Sequence, residues 1–188
     1  MFLKGEILIQ YIPFSVGADK LMSISYKYNS INLDDYLELR NHVNKTPVTR
    51  EIADEIMKNS ICTVTAFDEE SKTVGFGRLV GDGVVICYIQ DLMVHPECRY
   101  RNIGKGVLEQ LESYVKSITR PGVTMMLALM STPMAEQFYE KHGFTKRPTE
   151  NYGSGFFKLI SGDDNENLTF PEKNINKSII YTFIIYLH

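Results

Sequence analysis

An apolar run, Tyr88-Ile89-Gln90-Asp91-Leu92-Met93-Val94, passes through His95-Pro96 into a basic, glycine-bearing stretch, Arg99-Tyr100-Arg101-Asn102-Ile103-Gly104-Lys105-Gly106, that opens a helical pattern. Such a chain is constrained to strand, turn and helix in that order, because Pro96 cannot continue a hydrogen-bonded ladder and the apolar period changes behind it. A helix entered this way leaves its first amide N–H groups without intrahelical partners. Arg99, Arg101 and Lys105 add positive charge at the same place, so the turn is predicted to be an anion cradle sized for phosphate groups. The alternative is a plain strand-to-helix turn with solvated Arg and Lys side chains.

The rest of the chain supplies the frame. Ser25-Tyr26-Lys27-Tyr28 is expected as a first strand, Asn32 opens a helix carrying Leu33, Tyr36, Leu37 and Arg40 at helical spacing, and Thr49 caps a second helix through Met57. Cys62–Phe67, Thr73–Val80 and Val84–Val94 are β-branched and aromatic runs joined by short acidic or Gly turns, which predicts an antiparallel meander. The helix from Gly104 carries an apolar stripe through Val107, Leu108, Leu111, Tyr114, Val115 and Ile118 and stops before Pro121. Val123–Met130 is expected as a strand at the centre of a sheet, Pro133 starts a helix through Tyr139 that ends at Gly143, and Phe156–Ile160 is expected as a last strand.

Composition bounds the function classes. With 188 residues, 44% of them hydrophobic, the chain has the material for one core. A net charge of -3 gives no reason to expect nucleic acid or an anionic membrane as partner. Cys62, Cys87 and Cys98 lack C-x-x-C spacing, which argues against a disulfide framework or a metal site and fits a reducing cytoplasmic compartment. The sequence shows neither a signal-peptide pattern nor an apolar run of ~18 residues, so no membrane span is expected.

A second block, Ala135-Glu136-Gln137-Phe138-Tyr139-Glu140-Lys141-His142-Gly143-Phe144, follows the cradle. The two blocks together resemble the GCN5-related N-acetyltransferases (GNAT), over roughly Ile24 to Leu159. The family signature Q/R-x-x-G-x-G/A maps from Pro96 onto Arg99-Tyr100-Arg101-Asn102-Ile103-Gly104, with Asn102 in place of the first Gly; a shifted register from Arg101 to Gly106 also fits the bare pattern. Asn is the residue other than Gly that best tolerates a left-handed backbone, so the turn is compatible with the substitution.

The resemblance implies an α/β fold: a mixed, mostly antiparallel, splayed sheet with helices on both faces. It also implies acetyl-CoA as cosubstrate and transfer of its acetyl group to a primary amine by direct attack in a ternary complex. Cofactor contacts would come from the backbone of Met93 and Val94, from Arg99, Tyr100, Arg101, Asn102, Ile103, Gly104, Lys105 and Gly106, and from Thr132, whose hydroxyl alternatively caps the helix at Pro133. Tyr139 would be the acid that protonates the departing thiolate; its alternative is a core aromatic. At the position where family members often carry a Glu base stands Gln90, which cannot accept a proton at neutral pH. Asp91 beside it is a candidate, directly or through a water, but points to the other strand face unless a bulge re-aims it. His95 is the weaker candidate, and Cys98 is expected to be inert. The region after the first strand would shape the acceptor pocket.

Residues 1–22 and 161–188 fall outside the resemblance and are expected as terminal extensions around a catalytic domain of 23–160. The β-rich tail Ile179–Leu187 suggests a homodimer. Two rivals remain open at this point: a CoA-binding regulatory or interaction module without turnover, and an α/β protein for another nucleotide, disfavoured by the lack of G-x-G-x-x-G.

Overall fold

A computed structural model describes residues 23–160 of the chain. The two expected extensions, and with them the β-rich tail behind the dimer expectation, lie outside the described residues. The chain divides into two compact units, one running through Leu129 and the other from Met130.

In the first unit, β1 (Ser25–Tyr28) is followed by α1 (Leu33–His42), α2 (Arg50–Lys58), β2 (Cys62–Phe67), β3 (Thr73–Gly81), β4 (Ile86–Val94), α3 (Ile103–Ile118) and β5 (Met126–Ala128). The helix starts are set by side-chain caps: Asn32 Oδ1 accepts from the Asp35 amide at 2.8 Å and Thr49 Oγ from the Ile52 amide at 3.3 Å. The sheet order is β1-β2-β3-β4-β5, antiparallel throughout except for the parallel β4–β5 pair. This is the mixed, mostly antiparallel α/β sheet expected from the sequence.

Helices cover both faces. On one, α1 and α2 pack Tyr36, Leu39 and Ala53 onto Phe76 of β3 and Met93 of β4. On the other, α3 approaches β3 so closely that a Cβ on Gly77 would lie 2.8 Å from Val107 and 3.0 Å from Leu111. Central β3 is therefore buried from Thr73 to Leu79, as a strand covered twice must be.

Two expectations fail. Val123–Met130 does not form a central strand: only Met126–Ala128 pairs, at the end of the sheet, and Met126 is exposed. Its apolar residues flank a single three-residue ladder with β4, too short to be enclosed. Phe156–Ile160 is irregular, with Phe156, Phe157, Leu159 and Ile160 exposed. Apolar composition alone does not make a strand when no ladder receives it. In the second unit a 3-10 turn at Pro133–Ala135 leads into α4 (Glu136–Lys141), and Gly143 ends it at φ 86°.

Candidate active site

β4 leaves the sheet at Val94, and His95 and a 3-10 turn at Pro96–Cys98 lead to α3. Asn102, at the position where the signature has its first Gly, is the N-cap residue and adopts φ 58°, ψ 11°, a left-handed conformation that glycine takes freely and Asn tolerates. Tyr100 is also left-handed, at φ 62°, and its side chain is fully exposed. The first helical bond runs from the Gly106 amide to the Asn102 carbonyl at 2.9 Å, so the amides of Ile103, Gly104 and Lys105 precede the ladder. Arg99, Arg101 and Lys105 are exposed around this opening, and Lys105 lies 3.6 Å from Glu109 one turn along. Ile103 points inward, 1% exposed, towards β3.

Gly106 is a correction. Its amide is consumed by Asn102, and a Cβ there would sit 2.0 Å from the Tyr26 hydroxyl, so this glycine admits Tyr26 rather than a phosphate. The register from Arg99 to Gly104 is the one that leaves free amides.

Among the described residues no strand pairs with the outer edge of β4 beside the turn. β5 pairs with β4 only from Ile86 to Tyr88. The His95 amide donates to the Val74 carbonyl at 2.9 Å, which makes Val74 and His95 a hydrogen-bonded pair. By the alternation of an antiparallel ladder, Val94 then turns its N–H and C=O away from β3, towards the side that β5 has left. Met93, expected as a second backbone contact, turns its own groups towards Phe76 by the same alternation, and its side chain lies in the α1/α2 core at 3% exposure.

Asp91 sits on a bulge. The β3–β4 register shifts between Phe76 and Arg78, and Asp91 has φ 53°. The bulge brings Asp91 to the α1/α2 face, which Gln90 also shares through its pairing with Arg78. The Asp91 carboxylate is completely enclosed and fully occupied. Oδ1 accepts from Lys45 Nζ at 2.7 Å and Arg40 Nη1 at 3.3 Å; Oδ2 accepts from Arg78 Nε at 2.7 Å and the Tyr36 hydroxyl at 3.0 Å. Burial works to raise its pKa, but Lys45, Arg78 and Arg40 overcome burial and hold the carboxyl well below the usual range. A carboxylate so depressed and so saturated cannot take a proton from an amine, so the role of base does not fit it. Half-buried Gln90 has no basic atom either.

Sequence reasoning passed over Tyr36, Arg40, Lys45 and Arg78 as site residues. The signal was a charged residue, Arg40, on the apolar stripe of α1. His95 is 8% exposed, with its ring 4.4 Å from that of His42, and burial first, then His42, lower its pKa. Cys62, Cys87 and Cys98 are free and buried, and burial pushes the Cys98 thiol up.

Thr132 and Tyr139 belong to the second unit. Thr132 makes no side-chain cap bond to the turn at Pro133; instead its carbonyl accepts from the Ala135 amide at 3.0 Å. Tyr139 lies on α4 with Phe138 at 5.1 Å and Phe144 at 5.7 Å between ring centroids. Burial raises its phenol to about 12.

Comparison with known proteins bears on this arrangement. The model of the acetyltransferase (GNAT) domain matches residues 26–158. Serotonin N-acetyltransferase 2, chloroplastic, of Oryza sativa subsp. japonica is 31% identical over 94 residues, 50% of this chain and 45% of that protein. An uncharacterized N-acetyltransferase of Pyropia yezoensis is 33% identical over 95 residues, 49% of this chain and 52% of its own length. The chain thus spans about half the length of these curated relatives. Among solved structures, a probable acetyltransferase of meticillin-resistant Staphylococcus aureus superposes with a TM-score of 0.62 at 28% identity, covering 73% of this chain and 99% of that one. A GNAT-family acetyltransferase of Streptococcus pneumoniae gives a TM-score of 0.59 at 25% identity, covering 74% and 98%.

Proposed function

The chain belongs to the GNAT acetyltransferase family, and from that premise we propose that it moves the acetyl group of acetyl-CoA to a primary amine of a small molecule by direct attack in a ternary complex. The observation that carries this reading is the left-handed Asn102 turn, which opens α3 with unladdered amides beside the free edge of β4 at Val94. Those amides, with Arg99, Arg101 and Lys105, suit a pyrophosphate; Val94 suits the amide groups of a pantetheine arm. When bound, acetyl-CoA supplies the thioester carbonyl that the amine attacks. In this reading the acceptor lies beside half-buried Gln90 and partly exposed Lys45, between β4 and the α1–α2 loop.

Asp91 acts in this reading as a positioning residue. Its ion pairs fix Arg78 beside Gln90 and, through Lys45 and Arg40, the α1–α2 loop, whose Thr46 carbonyl accepts from Arg40 Nη2 at 2.7 Å. The amine then loses its proton to water. Tyr139 donates a proton to the departing thiolate. A phenol raised to about 12 by burial stays protonated at neutral pH and so keeps the proton it is to donate.

The missing proton acceptor at Gln90 and Asp91 is the observation that favours a second reading, a CoA-binding module without turnover. No helix among the described residues is long and apolar enough to cross a membrane; a cytoplasmic location and a homodimer are part of the same proposal, the first supported by the three free cysteines. An amine screen with acetyl-CoA and a thiol-detecting reagent tests the function: release of CoA dependent on an amine supports transfer, and binding of acetyl-CoA without release for any amine supports the module.

A further inference from the structure

The cluster around Asp91 is out of charge balance. Arg40, Lys45 and Arg78 surround one carboxylate among the described residues, that of Asp91, and the side chains of Arg40 and Arg78 are only 3% and 7% exposed. Buried charge without a counter-charge is costly, and a group of this kind gains from a further anion. The donors for one exist. Lys45 has three N–H groups and spends one on Asp91, while its side chain is 31% exposed. Arg78 uses Nε on Asp91 and makes a long contact from Nη1 to Ser60 Oγ at 3.5 Å. Arg40 Nε is buried and has no hydrogen-bond partner among the described residues.

The carboxylate, in contrast, is used up. Each of its oxygens accepts twice, from Lys45 and Arg40 on one and from Arg78 and Tyr36 on the other, so an incoming ammonium finds no acceptor there and meets an excess of positive charge. A polyamine is the wrong complement for such a surface. We infer that the acceptor is an amine that also bears an acidic group, a carboxylate or a phosphate, which docks on Lys45 and Arg78 while its amino group lies towards Gln90 and the β4 edge. The excess charge has a second effect on such an acceptor. With a monoanionic carboxylate docked, one positive charge of the cluster stays uncompensated and works to lower the pKa of the nearby ammonium, which suits a site that lacks a base.

This rests on the acetyltransferase reading above, and the test separates the two. Matched pairs of amines are compared at the full-length protein: an amino acid against its amide, an aminosugar phosphate against the unphosphorylated aminosugar, and a polyamine. Acidic members are expected to show kcat/KM higher by about 10- to 100-fold, mostly through KM, as charge-assisted hydrogen bonds would give. The carboxylate and phosphate arms tell which acid is used. Lys45→Met should bring the ratio between acidic and neutral members close to one, and Lys45→Arg should restore it. Binding to the CoA-loaded protein is read in parallel by thermal shift, so a lack of turnover does not leave the question open. Lys45-dependent binding of the acidic amines without acetylation would support the anion site and sink the acetyltransferase reading. Equal or better use and binding of the neutral or polyamine members, or an equal effect of Lys45→Met on both members of a pair, overturns the inference while leaving acetyl transfer intact.

Discussion

The Tyr26 hydroxyl occupies the place where a Cβ on Gly106 would stand, 2.0 Å from the ideal position. The contact ties β1 to the second turn of α3, and burial, with Glu109 next, raises the Tyr26 phenol to about 12. Gly106→Ala should therefore cost about 1–3 kcal/mol by overpacking, read as a lower melting temperature. Acetyl-CoA affinity of the folded variant should be unchanged, because the Gly106 amide is already inside the helix ladder. A variant that keeps its melting temperature but loses cofactor would return Gly106 to the cradle.

Asn102 makes a sharper test of the cradle. At φ 58° it occupies a conformation that a β-branched side chain resists and glycine adopts freely. Asn102→Gly should preserve or strengthen acetyl-CoA binding, and Asn102→Val and Gly104→Val should abolish it in calorimetry while far-UV circular dichroism stays that of a folded protein. Unchanged affinity in both valine variants would show the pyrophosphate to lie elsewhere.

The turn was legible because its cause is local: Pro96 ends the strand, and Asn102 supplies the left-handed residue. The same holds for the caps at Asn32 and Thr49 and for the meander from Cys62 to Val94, whose patterns follow from neighbours a few residues apart. The face of Asp91 was not legible. Strict alternation puts it opposite Gln90, and only the bulge against β3, a property of two strands, brings both to one face. Its partners Tyr36, Arg40, Lys45 and Arg78 come from α1, its following loop and β3, contacts over sequence distances that no local pattern encodes. Phe156–Ile160 shows the converse, a strand-like composition without a ladder.

Asp91→Asn keeps the side-chain shape and removes the one negative charge among Arg40, Lys45 and Arg78. Breaking a buried pair in this way costs about 3–5 kcal/mol at neutral pH. The folded-state pKa of Asp91 lies below its unfolded value, near ~3.9 for Asp, so the parent's contribution is complete above that value and is lost as pH falls through the folded pKa. Denaturant titrations at neutral pH and at pH values below the ordinary Asp range should thus show a large gap between parent and variant that narrows on acidification. A gap that stays constant with pH would mean that the ion pairs contribute nothing net.

Tyr139→Phe should lower kcat by about 10²- to 10⁴-fold, the span expected for a general acid. The loss should fall on kcat rather than on acetyl-CoA affinity, because the phenol proton is needed only as the carbon–sulfur bond breaks, while the ring contacts with Phe138 and Phe144 survive in phenylalanine. The pH profile adds an independent check. With its phenol raised to about 12 by burial, Tyr139 remains protonated across the range in which the protein can be assayed, so it contributes no alkaline limb. A limb that reports deprotonation of the amine should then persist in Tyr139→Phe at reduced amplitude, and it should also persist in His95→Gln, which removes the imidazole that titrates below its usual range. A variant with the parent's kcat would assign the proton to water and leave Tyr139 as a packing residue of α4.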